Sequence, residues 1–175
     1  MNIETLLSVE PYSWASIGTA MFCGAIIGLE RQLRGKPVGI RTSSIITIGT
    51  YLFLATSFLV QGDLIDHTRV IGQVITGIGF LGAGVMLAKN GAVVGVTSAA
   101  TIWVLAAIGV MIASGYLLPA IKLSLLVVAI LWGVEMLELH TRTFSRGVHA
   151  RVIHYSQKNR SAKDASSVNN DESSS

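Results

Sequence analysis

Long apolar runs alternate with short polar segments along this chain of 175 residues, and the alternation predicts five helices. Almost all of the charged residues lie outside the runs, in the segments between them and toward the two ends of the chain. Runs of this kind favour helices that lie in a membrane, because about twenty apolar residues, rising about 1.5 Å each, cross the hydrocarbon. The predicted spans are 14–29, 43–60, 70–88, 97–113 and 117–134.

The third span, residues 70–88, separates small from large residues around its axis and has no charged side chain. At 3.6 residues per turn, its branched residues, such as Ile71 and Ile78, fall opposite its small ones. Small residues let a second helix approach closely in lipid. We therefore predict that protein covers the glycine side and that acyl chains contact the branched side. The predicted packing residues of this helix are Gly72, Gly77, Gly79, Ala83 and Gly84, with Gln73 and Thr76 among them.

The first span has a small-residue pattern of its own, because Gly24 and Gly28 form a G-x-x-x-G motif. The motif suits either a docking face for another protein or packing within the chain. We favour internal packing, against the third span, because each such helix needs neighbours in its own bundle first. A second match, at 91–95, follows Asn90, and Asn-Gly favours a tight turn, so this match is predicted to be a loop.

Composition places the chain in a membrane. It is 51% hydrophobic and 13% charged, with a mean hydropathy of +0.60, whereas soluble domains contain about 25% charged residues. The single cysteine, Cys23, lies in an apolar run and is predicted to be a buried thiol. With five spans, all but two of the thirteen Lys and Arg residues fall on one side. The positive-inside rule makes that side the cytoplasm, with the N-terminus outside.

Polar residues gather at both ends of the predicted spans. Glu30 and Arg34 are spaced to pair on one helix, and Asp66 is placed to cap another. One interpretation is a basic anchor for anionic headgroups together with a capped helix start. The other is a site for an ion or a partner. The candidate binding residues are Glu30, Arg31, Arg41, Asp66, Arg69, Gln73 and Thr76.

The sequence argues against catalysis. A G-x-G-x-x-G run at 77–82 lies inside an uncharged span, where a dinucleotide fold would need a preceding strand. The histidines and Cys23 lack metal-ligand spacing, and no nucleophile motif occurs. We predict no metal, no cofactor and no nucleic-acid partner. Two functions stay open: docking onto another membrane complex, or a small transporter or channel for Mg²⁺ or another solute. The candidate neighbours in either case are lipid and a second copy of the chain.

Three blocks of this sequence resemble the MgtC/SapB family of bacterial inner-membrane proteins. They are GLERQLRGKPVGIRT at 28–42, DHTRVIGQVITGIGFLGAG at 66–84 and GVTSAATIWVLAAIGVMIASG at 95–115. The resemblance implies a five-span inner-membrane protein linked to growth under magnesium limitation and to survival inside phagocytes. It also implies an F-type ATP synthase as partner, because the best-known member is regarded as restraining that enzyme rather than as transporting magnesium.

The chain departs from this family pattern at several positions. Ser43 stands where many members have histidine, His67 where proline is frequent, and Thr101 where some members have aspartate. The expected organisation is an all-α bundle of five membrane helices at 14–138, preceded by a periplasmic segment at 1–13. A basic and then polar cytoplasmic tail at 139–175 is predicted to be disordered, in place of the family's soluble C-terminal domain.

Overall fold

The computed structural model describes residues 8–60, 66–89 and 92–140, which form five helices and one hairpin. The first seven residues, residues 61–65, the Asn90-Gly91 pair with its predicted turn, and the predicted tail from 141 onward lie outside the described residues. Residues 8–60, 66–88 and 93–132 belong to one compact unit, which the packing below concerns. The elements are α1 (Trp14–Leu33), α2 (Ile40–Leu59), α3 (His67–Gly84), β1 (Leu87–Lys89), β2 (Ala92–Val94), α4 (Val96–Ala113) and α5 (Leu117–His140).

The described chain is mainly helical, as the hydrophobic pattern predicts. It is not all-α, because β1 and β2 pair as a small sheet between α3 and α4. Residues 92–94, predicted to be loop, are therefore a strand, and α3 ends at Gly84, before the predicted boundary at 88. Three helices are long and apolar enough to cross a membrane: Ile40–Leu59 in α2, Val96–Ala113 in α4 and Leu117–Leu137 in α5. Their mean hydropathies run from 1.4 to 2.2. The five-span count and the orientation therefore stay predictions.

Helix α1 ends four residues beyond its predicted boundary, at a glycine. Gly35 has φ +62°, a left-handed conformation that glycine adopts without steric cost. The Lys36 N–H donates to the Arg31 carbonyl at 2.9 Å, and the Gly35 N–H donates to the Gln32 carbonyl at 3.1 Å. This Schellman motif satisfies the last carbonyls of the helix. Glu30 and Arg31 are consequently helical, and Arg34 is the C-cap of α1.

The G-x-x-x-G motif of α1 packs within the chain, but against α2 rather than the predicted third span. A Cβ added at Gly24 would lie 2.6 Å from Ser44 Cα, and one added at Gly28 would lie 2.6 Å from Ile40 Cα. The backbones of the two helices are therefore in contact. The reason is the short connection 34–39, which folds α2 back along α1 as its antiparallel neighbour.

Helix α3 is turned the opposite way from the prediction. Ile78, placed on the lipid side, is buried, whereas nothing in the described chain lies within 4 Å of a Cβ added at Gly72, Gly77, Gly79 or Gly84. The cause is the facing side of α4, where Ala106 and Ala107 border the same cavity as Ile78. Small residues on α4 admit the branched side chains of α3, and Gly82 packs on Ala99 of α4.

The core contains several buried hydroxyls, each bonded to its own helix. Thr47 donates to the Ser43 carbonyl at 3.0 Å, Thr101 to the Thr97 carbonyl at 2.8 Å, and Ser124 to the Ala120 carbonyl at 2.8 Å. A buried hydroxyl is costly unless it is hydrogen-bonded, and the carbonyl one turn back provides the partner. Cys23 is buried, as predicted.

Candidate functional site

Two adjacent charged residues near the end of α1 are almost completely buried. Glu30 is 7% exposed and Arg31 is 3% exposed. Arg34 Nε lies 2.9 Å from Glu30 Oε1, which confirms the predicted i, i+4 pair, and Arg31 Nη1 lies 3.7 Å from Glu30 Oε2. Taking such charges out of water is expensive unless they are paired and hydrogen-bonded. We call Glu30, Arg31 and Arg34 the charged cluster.

The charged cluster is only partly satisfied by hydrogen bonds. Arg31 Nη2 donates to Ser98 Oγ at 3.3 Å, which ties the end of α1 to the first turn of α4. Among the described residues, neither oxygen of Glu30 accepts a hydrogen bond of good geometry, and Arg31 Nε donates none. The 2.9 Å contact with Arg34 is therefore an ion pair rather than a well-aligned hydrogen bond. A buried carboxylate in this state retains capacity for a donor.

The corner between α1 and α2, which follows the charged cluster in the chain, is held by its own hydrogen bonds. Gln32 Oε1 accepts from the Ile40 N–H at 3.3 Å, so it satisfies an orphan donor of α2. Ser43 Oγ donates to the Val38 carbonyl at 3.0 Å. Val38 itself is buried with φ +69°, a conformation that a β-branched residue adopts only when its surroundings hold it there. The Ser43 hydroxyl thus braces this corner through its bond to the Val38 carbonyl.

The seven candidate binding residues do not form one site. Glu30 and Arg31 lie near the end of α1, and exposed Arg41 lies in the first turn of α2, whereas Asp66 precedes α3 near the other end of α2. The rings of His67 and Phe58 are 5.0 Å apart and mark that end. Helix α2 has 20 residues, so its ends are about 30 Å apart. The remaining candidates of α3, all exposed, are Arg69, Gln73 and Thr76.

Sequence reasoning missed Ser98 as a member of the buried site. Helix α4 begins at Val96, after Gly95, so Ser98 lies in the first turn of the helix. Ser98 points to Arg31, which is 67 residues earlier in the chain. No local sequence pattern predicts a contact between residues so far apart in the chain. The one available signal is a hydroxyl next to the start of an apolar helix, and capping explains that signal equally well.

The second polar group centres on the cap of α3. Asp66 accepts from the Thr68 N–H at 2.9 Å and from the Thr68 hydroxyl. These bonds lower the pKa of Asp66 below its usual value. The bond from the Thr68 hydroxyl has the largest effect, and the bond from the Thr68 N–H has the next largest.

The first turn of α3 should therefore loosen in acid. Because the folded pKa lies below the unfolded one, the cap stabilises the helix above the unfolded pKa and is lost as pH falls through the folded pKa. Hydrogen exchange at the Thr68 and Arg69 amides should accelerate, after correction for intrinsic rates, as pH drops below about 4. Asp66→Asn should keep a cap and remove the pH dependence. An unchanged acid response in that variant would assign the effect to another group.

The outward side of α3 is a continuous small-residue surface. It consists of Gly72, Thr76, Gly79 and Ala83, all exposed, and we call it the α3 small face. Elsewhere in this chain, close glycine contacts are used: a Cβ added at Gly109 of α4 would lie 2.7 Å from the Thr47 carbonyl oxygen. The α3 small face is the same kind of surface without an intramolecular partner in the described chain.

An apolar groove of about 540 Å³ lies beside this face, between α2 and α3. Gly77 and Gln73 line it on α3, and Gly49 and Phe53 line it on α2. No group of three or more His, Cys, Asp or Glu side chains that could hold a metal occurs in the described part of the chain. The geometry offers apolar surfaces for helices or acyl chains and one buried charged cluster.

Comparison with known proteins identifies a family match. The sequence model of the MgtC family matches residues 17–140, which include all of α2 to α5 and most of α1. No solved structure matches the chain. The family match covers the charged cluster, the α3 small face and the groove between α2 and α3.

Three curated relatives illustrate the similarity. A protein of Escherichia coli strain K12 named "Putative magnesium transporter YhiD" is 48% identical over 103 residues, 55% of this chain and 47% of that protein. Protein MgtC of Brucella abortus strain 2308 is 38% identical over 116 residues, 66% of this chain and 48% of that protein. Protein MgtC of Salmonella typhimurium strain 14028s is 37% identical over 125 residues, 71% of this chain and 53% of that protein. The chain spans about half the length of these relatives.

The family match extends over well more than half of the sequence. The three blocks at 28–42, 66–84 and 95–115 all lie inside it. The helices apolar enough to cross a membrane lie inside it as well. This chain is a membrane protein that belongs to the MgtC family.

Proposed function

We propose that this protein is a non-catalytic regulator that acts by docking the α3 small face onto a helix of another membrane complex. The exposure of that face carries the proposal. A face of large side chains would hold a second helix away. Gly72, Gly79 and Ala83 instead leave room for a second backbone at van der Waals distance. Gln73 and Thr76, on or beside the face, supply side chains that can hydrogen-bond across a helix pair.

The interior of the described unit also favours docking over transport. Its helices α1 and α2 are in backbone contact at Gly24 and Gly28, and the groove between α2 and α3 is apolar. A transport path would need polar groups that reach the bilayer midplane. The described residues that carry charge and are buried, Glu30 and Arg31, lie at one end of α1 instead.

The family resemblance supports a particular partner and topology for this regulator. We infer an F-type ATP synthase as the docked complex, in the inner membrane, during adaptation to magnesium limitation or to life inside a host cell. In that arrangement the chain crosses the membrane five times with its N-terminus outside. The basic residues at the α1–α2 corner then lie at the cytoplasmic surface, in agreement with the positive-inside rule.

Gly79→Leu should weaken docking without unfolding the protein. A Cβ at Gly79 meets nothing within 4 Å in the described chain, so the leucine is tolerated in the free protein but blocks a close helix pair. We expect at least about tenfold weaker binding, or roughly 1.4 kcal/mol, measured by crosslinking to ATP synthase in native membranes and by ATP-driven proton pumping in inverted vesicles. Gly18→Leu, at an equally open glycine of α1, is the matched control.

Two outcomes contradict the proposal. If Gly79→Leu folds and its crosslinked partners and pumping are unchanged, the α3 small face is not the docking surface. If instead proteoliposomes of the purified chain conduct Mg²⁺ at a rate above that of empty liposomes, the alternative of a small transporter or channel replaces it. The name of the Escherichia coli relative refers to that activity.

A further inference from the structure

The apolar groove between α2 and α3 has the length of one acyl chain. On α3 its lining runs from Val70 to Leu81, which is about 16 Å at a rise of about 1.5 Å per residue. One leaflet supplies about 15 Å of hydrocarbon, half of a bilayer core of about 30 Å. Helix α2, the other wall, is apolar enough to cross a membrane, and Phe53 on this wall is 71% exposed. A lipid tail therefore fits the groove in length and in polarity.

One exposed amide interrupts the apolar lining. Gln73 lines the groove, and its side chain forms no hydrogen bond with the residues that the structure describes. An amide next to hydrocarbon costs free energy unless it is hydrogen-bonded. Its NH₂ group provides two donors, and the ester carbonyls of a phospholipid are acceptors at the inner edge of the headgroup region. A lipid in the groove would therefore satisfy Gln73 as well as cover the apolar walls.

Arg69 lies one turn before Gln73, at the end of the groove where α2 ends. The rings of Phe58 and His67 are 5.0 Å apart, so α3 begins beside the end of α2. Arg69 is exposed and forms no salt bridge with a residue of the described ranges. Its electrostatic effect on the pKa of the capping Asp66 is smaller than that of the cap's own hydrogen bonds. The guanidinium is therefore available to an anion at the level where an apolar helix leaves the membrane.

We propose that the groove between α2 and α3 binds one phospholipid molecule. Its phosphate pairs with Arg69, an ester carbonyl accepts from Gln73, and an acyl chain passes over Gly77, where a Cβ would meet nothing within 4 Å in the described chain. Arg69, Gln73 and Gly77 are spaced four residues apart and so follow one side of α3, and a phospholipid carries the matching groups in the same order. The α3 small face lies on another side of the helix, so this site does not depend on docking.

The test places one tryptophan in the groove of the intact chain. Phe53→Trp in a Trp14→Phe/Trp103→Phe/Trp132→Phe background leaves a single fluorophore there. The host bilayer is digalactosyl diacylglycerol, which has ester-linked chains but no phosphate. Phosphatidylcholine with brominated chains should quench the fluorescence at about fivefold lower mole fraction than the brominated galactolipid, as expected for one basic contact. A Trp14→Phe/Trp132→Phe variant keeps Trp103 of α4, which is 52% exposed and should show no preference.

Two exposed positions test the polar contacts one at a time. Arg69→Gln should remove the preference for phosphatidylcholine over the galactolipid, and Arg69→Lys should keep most of it, because the charge remains. Brominated phosphatidylcholine with ether-linked chains, which has no ester carbonyl, should need about threefold more lipid for the same quenching, in line with one lost hydrogen bond. Gln73→Leu should abolish that difference between ester and ether lipids.

Four results would overturn the site. They are equal quenching by phosphatidylcholine and galactolipid at position 53, the same preference at Trp103, an unchanged preference in Arg69→Gln, and no difference between ester and ether lipids in the chain with Gln73. A tryptophan at position 53 that no brominated lipid quenches would also contradict the proposal, because protein, such as a second copy of the chain, would then cover the groove.

Discussion

Gly24→Ala is expected to cost about 2–3 kcal/mol of the free energy of unfolding, the upper part of the range for overpacking a core. The added methyl group would lie 2.6 Å from Ser44 Cα and 2.8 Å from the Ser43 carbonyl oxygen. Both atoms belong to the backbone of α2, so no side chain can rotate out of the way. Helices α1 and α2 would have to separate along the contact that also includes Gly28 and Ile40. Unfolding by SDS in mixed micelles measures the loss.

Gly18→Ala is the matched control for this substitution. Gly18 lies on the same helix, and a Cβ there meets nothing within 4 Å in the described chain. Alanine at this position should leave stability unchanged or raise it by a few tenths of a kcal/mol, because it lowers the entropy cost of the helix. If both variants are equally stable, the backbone contact between α1 and α2 does not exist in the folded protein.

Glu30→Gln is expected to destabilise the protein by about 3–5 kcal/mol, the range measured when one partner of a buried ion pair is removed. The glutamine keeps the size of the side chain but removes its charge. Arg31 would then remain 3% exposed, with the Ser98 hydroxyl as its described hydrogen-bond acceptor. A buried guanidinium without a counter-ion is far more costly than a missing neutral hydrogen bond. The same SDS titration gives the free energy.

A double-mutant cycle separates the ion pair from the general effect of the substitution. In Glu30→Gln/Arg31→Met both charges are absent and the interior is apolar, so much of the stability should return. Glu10→Gln, at an exposed position before α1, should change nothing measurable. Additive losses in the double variant would mean that Glu30 and Arg31 do not stabilise each other.

The positions of the helices could be predicted from the sequence, because each is a run of apolar residues with polar breaks. The ends of the helices were harder to predict from the sequence. Hydrophobicity places the end of the first span at Leu29, but backbone geometry extends α1 to Leu33, where Gly35 allows the Schellman motif. The predicted pair of Glu30 with Arg34 is a local, i, i+4 contact and was predictable for that reason.

The rotation of α3 could not be predicted in the same way. The separation of small from large residues shows that the helix has two different sides, but it does not show which side the rest of the chain covers. That choice depends on Ala99 and Ala106 of α4, whose small side chains admit Ile78 and Gly82. The contact of Arg31 with Ser98 could not be predicted either, because it joins positions 67 residues apart in the sequence.

The junction of α1 with α2 is secured along its whole length. The Tyr12 hydroxyl and Thr56 Oγ1 are 2.8 Å apart at one end, Gly24 meets Ser44 in the middle, and Gln32 bonds the Ile40 amide at the other end. Opening or sliding the two helices against each other would therefore break all three contacts together. If the proposed partner docks on α3, the rearrangement that follows involves the remaining helices, because nothing in the described chain lies within 4 Å of a Cβ added at Gly72 or Gly79.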